Sequence, residues 1–191
     1  MSIKTFSTVV LLTIFVISSS TLVASVDIEL YDSFCEISPP LDLHQKLTHL
    51  RMYRRVYALN DPEFVNIARP LTPINSTTLF GYLYCGEIPM TATLDPNSTK
   101  VAITEGLFAF VSKEEIRDAE FQTTIFTQGK FNGSTLSNLG DTGTSEVVRE
   151  RPIVGGTRMF RGARGYATAR NVNGTGGLTG IQYDLCFVHY V

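Results

Sequence analysis

The side chains that most often carry chemistry are sparse in this chain, and their spacing removes whole reaction classes. The three histidines are His44, His49 and His189. His44 and His49 stand five apart, which suits neither one helix face nor the His-Glu-x-x-His pair that holds zinc. Three imidazoles are too few for a copper or iron oxidase. No Gly-x-Ser-x-Gly elbow is present to expose a nucleophilic serine. The cluster from Gly155 to Gly162 follows a strand-like run but opens no helix and lacks Gly-Lys-Ser/Thr, so it is neither a phosphate loop nor a dinucleotide fingerprint. The sequence therefore calls for no metal and no cofactor, and nothing in it performs a one-electron oxidation. What remains is binding and proton transfer, with charged and aromatic side chains gathered around a small molecule. Tyr53 and Phe108 either line such a cavity or pack a core. Arg51, Arg54 and Arg55 read as a basic patch, with Arg51 and Arg55 on one strand face as an exterior contact and Arg54 on the other.

The elements that would position these residues are strands. Thr48 to Leu59, Thr78 to Cys85, Lys100 to Ser112, Ala119 to Gln128, Ser134 to Gly140, Ser145 to Val154, Ala163 to Arg170 and Leu178 to Val191 read as eight strands. Asn132-Gly133 between β-favouring residues signals a hairpin whose two turn positions need positive φ, and Gly155-Gly156 reads as a second turn. Residues 60–77 form a polar, proline-containing loop, and Lys113 to Asp118 a charged turn. In Lys100 to Ser112, Val101, Ile103, Leu107, Ala109 and Val111 share one face, while Phe108 and Phe110 lie on the other. Eight antiparallel strands hide their edges by closing, and an eight-stranded barrel has room for one small ligand. Periodicity alone leaves barrel and sandwich equally open.

Composition sets further bounds. A net charge of −2 argues against a nucleic-acid partner. Twelve Phe and eight Tyr without Trp suit a β-rich core or an aromatic-lined cavity. Lys4, the apolar run Val9 to Ile17, and Val23 and Ser25 at the −3 and −1 positions read as a signal peptide over residues 1–25. No segment approaches the roughly 20 apolar residues of a membrane span. The expected product is secreted, with an N-terminal arm at 26–45 and one domain at 46–191. Asn75, Asn97, Asn132 and Asn173 each head a sequon and are candidate glycosylation sites.

Three phrases carry a resemblance: Phe131-Asn132-Gly133-Ser134-Thr135-Leu136-Ser137-Asn138-Leu139-Gly140, then Val148-Arg149-Glu150 with Pro152-Ile153-Val154-Gly155-Gly156-Thr157, then Ala163-Arg164-Gly165-Tyr166-Ala167. They resemble the F-N-G-S-T-L-S-x-L-G, V-R-E-x-P-V-V-G-G-T and A-R-G-Y-A of plant dirigent proteins. The resemblance implies an all-β, eight-stranded antiparallel barrel like that of allene oxide cyclases, in a homotrimer of the extracellular space or apoplast. It implies a phenolic ligand: a separate oxidase makes phenoxy radicals, for example from coniferyl alcohol, and the barrel directs their stereoselective coupling to lignans. The alternative is a divergent member that binds a phenolic or carbohydrate ligand, or organises cell-wall structure, without directing coupling. Carried over residue by residue, the family arginine falls on Arg149. The aspartate some seven residues earlier falls on Thr142, with Asp141 one position away. One carboxylate of D-D-P-L-T survives as Glu87. The strand-one His-Asp pair is replaced by Arg55-Val56, and the arginine of V-G-R-A-Q-G by Ile103. Arg149, Asp141 and Glu87 are therefore the candidate catalytic residues, with Tyr53 and Phe108 in the pocket. Of the three cysteines, Cys35 and Cys186 are expected to pair, as the family pairs an N-terminal with a C-terminal cysteine, leaving Cys85 as a buried thiol.

Overall fold

The computed structural model describes residues 44–56, 62–71, 77–174 and 177–191. The chain divides into Met1–Asp42 and Leu43–Val191, and the second unit holds every described element. The expected signal peptide, the N-terminal arm up to residue 43, Cys35 and Asn75 lie outside the described residues.

Nine strands run in order: β1 (Gln45–Arg55), β2 (Phe64–Ala68), β3 (Leu83–Thr91), β4 (Lys100–Phe110), β5 (Arg117–Phe126), β6 (Thr135–Gly143), β7 (Arg149–Thr157), β8 (Arg164–Asn173) and β9 (Thr179–Tyr190). From β3 onwards each strand pairs antiparallel with the next. β9 returns to β1 along its whole length, from Gln45↔Tyr190 to Arg55↔Gly180. The cylinder closes where Tyr53 of β1 meets Thr91 of β3, and the Thr91 hydroxyl donates to the Tyr53 carbonyl at 3.1 Å. Eight strands therefore form a closed antiparallel barrel, and closure removes the edges that an open sheet would expose.

β2 is the element the sequence hid. It lies in the stretch expected to be loop and pairs with the first half of β3, Phe64 opposite Gly86. It covers the part of β3 that β1 does not reach. The Glu63 carbonyl accepts from the Glu87 amide at 2.9 Å, and the Glu63 carboxylate takes the buried Arg54 Nε–H at 2.7 Å. Arg54 thus faces inward and is not part of an exterior patch, whereas Arg51 on the outer face pairs with Asp184 at 2.6 Å.

Two glycine readings change. Gly155 and Gly156 are strand residues of β7. A Cβ at Gly156 would stand 2.5 Å from the Phe160 carbonyl and 2.7 Å from that of Thr135, so crowding, not turning, demands glycine. At Asn132-Gly133 only Gly133 has positive φ, at 78°, while Asn132 sits at φ −49°, ψ 127°. That is a type II turn, which needs glycine at its second central position alone.

Each strand alternates, but the inside is not uniformly the apolar side. At one end Phe126, Phe160, Phe187 and His189 form a closed aromatic plug, with Phe131 against it. Met52, Ile88, Met90, Leu136, Ile153 and Leu185 fill the middle. Towards the other end the inner wall turns polar, with Thr104, Glu120, Gln122, Thr124, Asn138, Thr142 and Arg151 all buried. Outside, Val65, Cys85, Leu107, Phe121 and Leu139 stand opposite one another across five neighbouring strands. This apolar row is solvent-exposed, Val65 at 63% and Phe121 at 55%. Cys85 is exposed with it, contrary to expectation, because its parity on β3 points away from the interior. Cys186 lies half-buried on β9 with a free thiol, and its expected partner Cys35 is outside the described residues.

Candidate functional site

The polar end of the barrel opens into a cavity of about 170 Å³ whose lining includes Arg54, Phe64, Phe108, Glu120, Arg149 and Arg151. Beside it lies a second cavity of about 280 Å³ lined by Phe64, Leu79, Tyr84, Phe108, Phe110 and Asp118. Phe64, Phe108 and Asp118 belong to both, so the two adjoin. The Phe64 and Phe108 rings meet edge-on at 4.9 Å, and Tyr84 and Phe110 do so at 5.8 Å. Such walls bind a flat aromatic guest through both faces and edges.

The charged floor is built by strand alternation. Asp118, Glu120 and Gln122 succeed one another on the inner face of β5, and Arg149 and Arg151 on that of β7. β6 runs between them. Gly140 stands opposite Glu120, and a Cβ there would be 3.8 Å from the Arg151 Cβ, so the arginine stem crosses a bare position on its way to the carboxylate. Arg151 Nη2 donates to Glu120 Oε1 and, at 2.7 Å, to Thr142 Oγ1, and it stands 3.8 Å from Asp118 Oδ2. The Gln122 amide donates to the other Glu120 oxygen.

Burial pushes the Glu120 carboxyl up to about 9, hydrogen bonding to the Asp118 carboxyl adds to the rise, and the Arg151 charge opposes both. Glu120 therefore holds its proton to higher pH than an ordinary carboxyl, beside a second carboxyl at the foot of an aromatic-walled opening. That is the disposition of a general acid.

Of the residues anticipated from sequence, Arg149 and Phe108 line this mouth. Arg149 donates to Asn171 Oδ1 at 2.9 Å and keeps partial access to solvent. Asp141 does not reach the mouth: alternation on β6 turns Thr142 inward and Asp141 outward, where it takes Arg117 Nη1 at 2.9 Å. Glu87 is likewise exposed on the outer face of β3, because its neighbour Ile88 holds the inner position. Tyr53 points out of β1 between inward Met52 and Arg54, and contributes its backbone to barrel closure. Glu120, Asp118 and Arg151 were not anticipated. Arg151 shares the parity of Arg149, and Glu120 that of Gln122 and Thr124, which is the one sequence signal that could have found them.

Comparison with known proteins agrees with this architecture. The family model described as Dirigent-like protein matches residues 47–188. The chain belongs to the dirigent family. Curated dirigent relatives include pterocarpan synthase 1 of Glycyrrhiza echinata, 37% identical over 150 residues, spanning 76% of this chain and 80% of the relative. The Glycine max protein of the same name is 38% identical over 150 residues, spanning 76% and 81%. Dirigent protein 1 of Arabidopsis thaliana is 34% identical over 148 residues, spanning 76% and 80%. The barrel superposes on one solved pterocarpan synthase dirigent protein with a TM-score of 0.67 at 36% identity, covering 79% of this chain and 89% of that one. A second gives 0.64 at 37%, covering 76% and 96%. In the dirigent phrase V-R-E-x-P, Arg149 fills the arginine position and Arg151 the variable one.

Proposed function

We propose that this dirigent protein binds a phenol bearing an oxygen leaving group on the benzylic carbon para to its hydroxyl, and steers closure of the resulting quinone methide. Glu120 gives its proton to the leaving oxygen, the benzylic C–O bond breaks, and water departs when that group is a hydroxyl. The ring hydroxyl loses its proton as the quinone methide forms. A neighbouring phenol oxygen then bonds to one face of the benzylic carbon, returning its proton to Glu120, and the ring oxygen regains the proton it lost. The sum is loss of water, with no oxidant consumed. Stereochemistry follows from orientation, because the aromatic walls leave one face of the carbon open to attack. The observation that carries this reading is the buried Glu120, its carboxyl pushed upward by burial, beside Asp118 under the Phe64–Phe108 wall. The bond formed, phenol oxygen to benzylic carbon, is the type that defines a pterocarpan, the product for which two of the relatives are named.

Lignan-type coupling is the second reading. It shares the quinone-methide half but takes its radicals from a separate oxidase acting on a phenol such as coniferyl alcohol. One experiment separates the two. Purified protein is given a racemic para-hydroxybenzylic alcohol carrying a neighbouring phenol, without oxidant, and in parallel coniferyl alcohol with a one-electron oxidant. Chiral chromatography is expected to show one enantiomer of the cyclic ether in the first arm. Enantiomeric excess only in the second favours lignan coupling, and racemic products in both at saturating protein overturn a stereo-directing role.

The same proposal places the protein outside the cell, in the apoplast, with glycans on the exposed Asn97, Asn132 and Asn173. It also makes the exposed row through Leu107, Phe121 and Leu139 the contact between copies in a homotrimer, since an apolar strip of this extent marks an interface. Light scattering is expected to give three times the chain mass for the wild type and a monomer for Phe121→Lys. A monomeric wild type would exclude the trimer.

A further inference from the structure

The mouth does not end at Glu120. A small chamber of about 20 Å³ adjoins it in the barrel interior, and Ile88, Gln122, Arg151 and Tyr183 line both spaces. Arg151 spends only part of its donor capacity on the acid site. Its Nη2 serves Glu120 and Thr142, while its Nε–H is buried with no hydrogen-bond partner. The Arg151 side chain is 7% exposed, so open solvent does not satisfy that donor. Asn138 adds a second polar group to the lining, whereas the Thr104 and Thr124 hydroxyls there are engaged with each other at 2.8 Å. Met52, Met90 and Leu185 supply apolar wall. A single water needs roughly 10–15 Å³ of such space and two to four polar partners. The chamber therefore has space and a spare donor for an oxygen atom, and an ether oxygen there, unlike a phenol's, has no proton to give and cannot gather negative charge.

We propose that this chamber is a socket for the substrate's ring oxygen, and that it makes the protein select phenols with a free para hydroxyl over their methyl ethers. The inference rests on the phenol-binding reading above and adds the discriminating contact: the Arg151 Nε–H donates to the ring oxygen, with Asn138 and Tyr183 beside it. An oxygen seated there directs the para substituent back towards Glu120 and Asp118. The guanidinium also favours the oxygen most when negative charge gathers on it, which happens as the phenol loses its proton.

The test is binding, which is independent of turnover. Calorimetry on the full chain compares 4-hydroxybenzyl alcohol with 4-methoxybenzyl alcohol. The ether is expected to bind about tenfold or more weakly, the usual consequence of losing one hydrogen bond in a buried charged site. Arg151→Lys keeps a cation for Glu120 but has no Nε–H, and is expected to bring the two affinities together. Equal affinities in the wild type, or undiminished discrimination in a folded lysine variant, would overturn the socket. If that variant does not fold, the wild-type comparison still decides, together with a crystal soaked in 4-hydroxybenzyl alcohol. Phenol oxygen in the chamber supports the socket, and a ring held wholly in the mouth above a trapped water refutes it. Discrimination without stereoselective product would remove the proposed reaction and keep the socket, and product without discrimination would do the reverse.

Discussion

Glu120→Gln is expected to slow the stereoselective closure by about 10²–10⁴-fold, the range for losing a general acid, while the barrel stays folded. The fold tolerates the change because glutamine has nearly the shape of a neutral carboxyl, and its carbonyl can still accept from Arg151. The acid function does not survive, since an amide has no proton to give. Chiral product analysis and single-turnover rates check the loss, and full activity in the variant would remove Glu120 from the mechanism. The wild-type rate should fall as pH rises through about 9, where Glu120 ionises. Stability carries the same signature. The folded chain holds the Glu120 proton to about 9, whereas the unfolded chain releases it near 4.5. The folded state therefore binds more protons between those values, and stability declines as pH rises across that window. Urea midpoints taken at about pH 5 and about pH 8 should differ more for the wild type than for Glu120→Gln.

At the opposite end of the barrel, Phe160→Ala should be the costliest core truncation for folding. Phe160 is 0% exposed. Its ring stands 5.2 Å from Phe126, 4.9 Å from Phe131, 5.0 Å from Phe187 and 5.4 Å from His189. Phe126, Phe187 and His189 sit on paired strands and cannot collapse far into the void, so about 3–5 kcal/mol of stability should be lost. For a domain of this size that corresponds to a fall in Tm of about 6–20 °C. Below the transition the variant should still bind phenols, since none of these rings lines the mouth. A loss under about 1 kcal/mol would mean that the plug relaxes around the missing ring.

The strands were legible because turn residues and alternation mark them; the choice of which face points inward was not. On β5, Phe121 and Ile125 alternate with Gln122 and Thr124, and hydrophobicity alone would bury the first pair. Phe121 is instead exposed, and Glu120, Gln122 and Thr124 are buried. The barrel spends its polar side chains on its interior and an apolar row on its exterior, so the usual rule inverts there. That inversion concealed Glu120 and Arg151, whereas motif correspondence put Asp141 and Glu87 forward and strand alternation turns both outward. β2 was concealed differently. Phe64 to Ala68 is a five-residue segment between prolines, too short for alternation to declare itself, and only the uncovered half of β3 gives it a partner. Arg149 and Phe108 were reachable because a motif fixed one and strand parity set the other apart.

The separation of a sealed aromatic end from an open polar end reaches beyond this one protein. Phe64, Ile88, Phe108 and Tyr183 serve both the core and the opening, but its charged residues Glu120, Arg149 and Arg151 can change without taking a ring from the core. Selection can then rewrite which guest is admitted, and what befalls it, one inward position at a time, while the foundation stays unchanged. A lineage with such a scaffold diversifies its chemistry without rebuilding its architecture.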